Sequence, residues 1–145
     1  MPFKVKYVKD NFLIEKDISV GMVVGRYYVS KKNGQPDYQK IEKHIQLAER
    51  YAIKLWNVGF AVFTAHLNTR HFEVKTKIPE VVYQGFDRYV LEKITDFIFV
   101  LPNWRKSGGG RKEVELAIKM GLPVFDKISE LKKWRDGKNF KTIVE

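Results

Sequence analysis

The run FIFVLPNWRKSGGGRKEVELAIKMGLPVF, residues 97–125, decides the fold. Five consecutive apolar residues, 97–101, read as a strand buried on both faces. Pro102 stops it, and residues 102–110 form a glycine-rich loop. Val114, Ala117, Ile118 and Gly121 then share one face of a helix, and residues 122–125 return as a second strand. A buried strand, a loop, a helix and another buried strand make one crossover unit, which belongs to a parallel sheet.

Upstream the same alternation recurs. Residues 22–30, MVVGRYYVS, are β-branched and aromatic and end at Lys31, Lys32, Asn33 and Gly34, which predicts a buried strand and a loop. Pro36 and Asp37 open a helix in which Ile41, Ile45, Ala48, Ala52 and Leu55 form one apolar stripe. Residues 60–64 are again strand-like and lead into a polar loop at His66, Asn68, Thr69 and Arg70. Beyond Pro79, Val82, Phe86, Val90 and Ile94 recur every fourth residue and predict a second helix with that face packed. Residues 128–134 make a short last helix. The first residues, with Phe3, Val5 and Tyr7 alternating against Lys4 and Lys6, predict an N-terminal hairpin whose return lies near residues 12–14. The expected fold is α/β: a doubly wound parallel sheet of about five strands in a single domain spanning 1–145, with residues 1–20 as the hairpin extension.

Composition narrows the chemistry. Hydrophobic residues make up 44% and aromatics 14% of 145 residues, enough to bury a core. With no cysteine, disulfides, thiolate metal sites and cysteine nucleophiles fall away, and His44, His66 and His71 form no helical ligand pair, so no metal is expected. Residues 1–8 lack an apolar signal segment, and the stretch 97–101 is too short to span a bilayer, so the expected setting is cytoplasmic with no membrane partner. A net charge of +10, from 27 basic against 17 acidic residues, favours anionic partners such as nucleotides or nucleic acid.

In an open parallel sheet the ligand sits at the carboxyl ends of the strands. The loop holding Ser107, Gly108, Gly109 and Gly110 runs directly into a helix whose free N–H groups attract anions; as a bare pattern, glycines before a helix are more often just a turn. Glu113 lies in the first turn of that helix, where the dipole favours the ionised form that a nucleophile requires, or where a first-turn glutamate merely complements the dipole. Glu115, about 200° further round, faces water.

These residues carry a resemblance. The stretch 101–125, with YYVSKKNG, GFAVFTAH and FDRYVLEKITDFIFVLP upstream, resembles the nucleoside 2-deoxyribosyltransferase superfamily, and within it the small bacterial and phage domains, over residues 23–125. Ser107, Gly109, Gly110, Glu113, Ala117, Gly121, Pro123 and Val124 fill its most specific slots. The resemblance implies a flavodoxin-like fold, a glutamate that attacks C1′ of a sugar as the base departs, no cofactor, and a homodimer. It implies catalytic roles for Glu113 and for an aspartate of the preceding helix. Asp87 suits that role because nine helical residues rise about 13 Å and separate it from Asp96 at the other edge of the sheet; it also reads as a solvated helix residue. Ser30 and Lys31 are expected to bind substrate, Lys31 with Lys32 holding a 5′-phosphate, or the lysine pair is a charged surface turn. Tyr28 and Trp104 would pack against sugar or base, or into the core, and His66 would hydrogen-bond the ligand. The expected function is cleavage or transfer at the N-glycosidic bond of a (deoxy)nucleoside or nucleoside 5′-monophosphate. A non-catalytic nucleotide sensor is the alternative, and nucleic-acid binding is a third, less favoured one.

Overall fold

A computed structural model describes residues 2–144; Met1, at the head of the predicted hairpin, and Glu145 lie outside the described residues. The hairpin is present: β1 (Phe3–Lys9) pairs antiparallel with β2 (Phe12–Ile18). Its turn places both Asp10 and Asn11 at positive φ, as a two-residue turn of matching twist requires. β3 (Val20–Val24), β4 (Ala61–Thr64), β5 (Phe97–Val100) and β6 (Val124–Phe125) form a separate sheet in the order β4-β3-β5-β6, with every pair parallel. Counted within the sheet this is 2-1-3-4, the doubly wound order of a flavodoxin-like domain, with four strands where about five were expected.

Strand alternation sends side chains to two cores. Met22, Val24, Ile98, Val100 and Val124 face α4 (Glu80–Ile94) and α5 (Gly108–Lys119), packing on Val90, Leu91, Val114 and Ala117. On the other side, Val23, Phe97, Phe99 and Phe125 meet α1 (Tyr38–Asn57) and α6 (Ile128–Arg135) through Ala48, Leu55 and Leu131. The predicted stripe of α1 is buried throughout, and the Asp37 side chain caps the helix by accepting the Lys40 N–H at 3.2 Å. Among the described residues no helix is long and apolar enough to cross a membrane.

Three expectations need correction. The strand predicted over 22–30 ends at Val24; the chain leaves the sheet at Gly25, packed so closely that a Cβ would lie 2.5 Å from Leu101 Cδ1, and the Arg26 N–H donates to Asn103 Oδ1 at 2.9 Å instead of to a neighbouring strand. The polar loop at 66–70 begins as a helical turn, α2 (Ala65–Asn68), followed by α3 (Phe72–Lys75). In α4 only Val90 and Leu91 are buried, while Val82, Phe86 and Ile94 are about half exposed. Steps of four residues advance 400°, so such a stripe drifts by about 40° per step and cannot stay on one face.

Candidate functional site

The central strands β3 and β5 end side by side, and the chain departs from them in opposite directions, β3 to α1 and β5 to α5. That divergence opens a cavity of about 420 Å³ at the carboxyl edge of the sheet, within the size range of a small-molecule site. Val23, Val24 and Gly25 form its floor, α5 one wall, α4 another, and the segment from α2 to Ile78 its rim.

On α5, Ser107 is the N-cap: its Oγ accepts the Gly110 N–H at 2.9 Å. The three glycines are therefore the first turn of the helix and not a loop before it. Gly110 is packed, since a Cβ there would lie 3.1 Å from Ser107 Oγ and 3.2 Å from Val24 Cγ1. Gly108 and Gly109 face open space, and their amides have no acceptor inside the helix. One turn further, Glu113 reaches the same cavity.

α4 supplies the opposing carboxyl. Glu80, Tyr83, Gln84 and Asp87 all line the cavity; at spacings of three, one and three they share one helical face, which continues into buried Val90 and Leu91. Thr95 ends the helix by donating its hydroxyl to the Val90 carbonyl at 2.9 Å. Asp96 sits at the other edge of the sheet, where its Oδ2 accepts the Val20 N–H at 2.8 Å.

Burial sets the protonation of the pair. It pushes Asp87 up to about 6, and Asp87 Oδ1 is shielded from solvent with no hydrogen-bond partner. Burial first, and the Asp87 charge second, push Glu113 up to about 8. The expectation that the helix dipole holds Glu113 ionised is thus overturned: desolvation and a like charge outweigh a partial charge at the helix end. Near neutral pH the pair holds one proton.

The rim is braced by polar contacts. The Tyr27 hydroxyl donates to Glu73, 3.1 Å from both carboxylate oxygens, and accepts the His71 N–H at 2.9 Å; burial foremost raises its pKa to about 12, so it stays a donor. His71 Nε2 lies 2.8 Å from Glu42 Oε2, and Arg70 pairs with the other oxygen of Glu42. The hydrogen bond from His71 is the main reason the Glu42 carboxyl sits below its usual range. Below them His66 is 4% exposed. Its Nε2 lies 2.9 Å from the Arg26 carbonyl, which only accepts, so Nε2 carries the proton and Nδ1 is bare. Burial lowers its pKa and keeps the ring neutral.

Of the sequence-predicted residues, the cavity gathers Glu113, Asp87, Tyr28, His66, Ser107, Gly109 and Gly110. It does not gather Ser30, Lys31 or Trp104. Ser30 forms an isolated bridge with Pro36, and the Lys31 N–H donates to the Gln35 carbonyl at 2.7 Å, so a tight surface turn carries both away. Trp104 is 5% exposed and packs in the core with Val24, Val100 and Val114, Arg105 stacking 4.5 Å from its ring centroid. Sequence reasoning missed Tyr27, Phe72, Glu73 and Tyr83. Tyr27 was legible only as a strand residue. The positive φ of His71, which turns Phe72 and Glu73 into the rim, carries no glycine signal.

Comparison with known proteins gives one family: a model described as "Domain of unknown function (DUF1937)" matches residues 22–128. No curated protein and no solved structure matches the chain.

Proposed function

The chain belongs to this DUF1937 family of unknown function, and from that premise we propose that it cleaves or transfers the N-glycosidic bond of a (deoxy)nucleoside or nucleoside 5′-monophosphate, as a member of the nucleoside 2-deoxyribosyltransferase-like superfamily. One observation carries the reading: two carboxyls, Glu113 of α5 and Asp87 of α4, line one cavity, where burial raises both so that the pair carries one proton near neutral pH. Departure of a base needs a proton on the leaving nitrogen and a negative group facing C1′, and a singly protonated pair supplies both.

In the proposed reaction the proton held by the pair passes to the departing base through Asp87 as the C1′–N bond breaks. Glu113, now ionised, closes a bond to C1′. Water, or a second base, then takes the sugar from the glutamate, and the incoming nucleophile's proton returns to the pair. The α5 amide of Gly109, Ser107 and neutral His66 orient the ligand by hydrogen bonds, and Tyr28 covers it. The reaction as drawn calls on no cofactor. A homodimer in the cytoplasm remains part of the proposal; the exposed apolar side chains of Val81, Val82 and Tyr89 on α4 support a self-association surface.

The test is a panel of deoxynucleosides, ribonucleosides and monophosphates, followed by release of free base. Turnover abolished by Glu113→Gln and reduced at least about 100-fold by Asp87→Asn is the expected result. Tight binding with no turnover by the wild type would make the protein a sensor instead. Steeply salt-dependent binding of DNA or RNA by a protein inert to nucleosides would make it a nucleic-acid binder.

A further inference from the structure

The cavity has the opposite sign to the protein around it. None of the chain's 27 lysines and arginines that fall among the described residues lines it, whereas Glu73, Glu80, Asp87 and Glu113 all do. The one histidine in the wall, His66, is neutral because burial lowers its pKa. The amino end of α5 contributes about half a positive charge, which the carboxyls outweigh even with one proton held by the Asp87–Glu113 pair. Between them stand aromatic side chains: Tyr27, Tyr28, Phe72 and Tyr83.

Carboxylates and aromatic side chains together form the lining that a planar cation selects. Ring quadrupoles attract a cation over their faces, and carboxylates attract it more strongly in a recess than in bulk water. A 5′-phosphate entering the same recess would lose hydration while facing like charges, with no lysine or arginine of the wall to pair with it.

We propose that the ligand is an N-glycoside whose heterocycle carries a positive charge, such as a ribosylated pyridinium or an N7-alkylated purine nucleoside, with no phosphate on its sugar. The sugar rests on the function proposed above; the charge preference rests on the lining alone. For such a ligand the C1′–N bond breaks with its electron pair passing to the ring nitrogen, so the heterocycle leaves neutral and needs no proton. Glu113 forms the new bond to C1′, and water later displaces it, releasing one proton. The cation that binds also draws Glu113 towards its ionised form, so the substrate generates the nucleophile that attacks it.

A pair and a trio of probes separate the charge preference from the reaction. Calorimetry on the wild-type protein compares the 1-methylnicotinamide cation with neutral nicotinamide, neither of which has a glycosidic bond. The same measurement on Glu113→Gln, which cannot turn over, compares 7-methylguanosine, guanosine and guanosine 5′-monophosphate. The expected result is binding about tenfold tighter for each cation than for its neutral partner, about tenfold weaker for the monophosphate than for guanosine, and a ratio narrowed several-fold by Glu80→Gln or Glu73→Gln. Equal or tighter binding of the monophosphate, or of nicotinamide over its methylated form, overturns the charge preference and leaves the glycosidic reading standing if nucleosides are cleaved. Binding of 1-methylnicotinamide with no binding or cleavage of any nucleoside overturns the glycosidic reading and keeps the preference. No binding by any probe overturns both.

Discussion

Glu113 illustrates how far one residue can be taken from sequence. Its place on the helix that follows Ser107 was legible, and so was the face it shares with Ala117; its turn was not, because the three glycines are themselves the first turn and Glu113 stands in the second. Its protonation was not, because the burial that chiefly raises it, and the like charge of Asp87 from a helix 26 positions earlier, exist only once the chain folds. For a nucleoside whose base must be protonated to leave, kcat/KM plotted against pH should form a bell. It should fall below about 6 as both carboxyls become neutral, and above about 8 as both ionise; the two limbs belong to the pair jointly. The same shift has a cost in stability. The folded chain keeps a proton on Glu113 that the unfolded chain releases between the ordinary value of 4.5 and about 8, so this group lowers stability as pH rises through that window. Glu113→Gln should therefore be inactive yet about 2 kcal/mol more stable than wild type at pH 8.5, with little difference at pH 4. Denaturant melts at the two pH values read this directly; equal melts at pH 8.5 would place the glutamate in water.

At the scale of elements, α1, which packs only against the core, was read correctly, and α4, one of the two helices that wall the cavity, was not. The stripe from Ile41 to Leu55 in α1 is apolar along its whole inward face. The inward face of α4 starts polar, with Glu80, Tyr83, Gln84 and Asp87, and turns apolar only at Val90. A search for apolar periodicity therefore selected Val82 and Phe86, which lie to the side. Cavity walls are by nature places where hydrophobic pattern and burial part company. The glycines of α5 and β3 differ in the same instructive way. Gly109→Ala fills open space in a helical turn and should raise stability by about 0.5 kcal/mol while weakening ligand binding, since the new methyl stands in the wall. Gly21→Ala would bring a Cβ within 2.2 Å of the Phe97 ring, and should destabilise by about 1–3 kcal/mol. Thermal melts of the two variants, paired with ligand titration of the first, distinguish a working glycine from a packing one.

For the molecule as a whole, the sheet carries the stability and the hairpin stands apart from it. β1 and β2 pair only with each other in the strand ladders, and none of their described residues is buried. A chain begun at Ser19 should keep its midpoint of thermal unfolding within a few degrees, with the cavity unchanged. A loss of cooperative unfolding would show that the hairpin braces the core. Sedimentation velocity should give a species of twice the chain mass, shifted towards the single chain by Val82→Glu on the exposed side of α4; a lone protomer at all concentrations would remove the dimer.

Because β3 runs from the hairpin at Val20 to the cavity at Val24, the sheet keeps its two ends for separate purposes. No hairpin residue lines the recess. A tether, fluorophore or carrier domain joined ahead of Phe3 would hang from the entry side of the strands, leaving the mouth between α4 and α5 clear. Anchored to a sensor chip in that orientation, the protein would present its acidic recess to flowing solution.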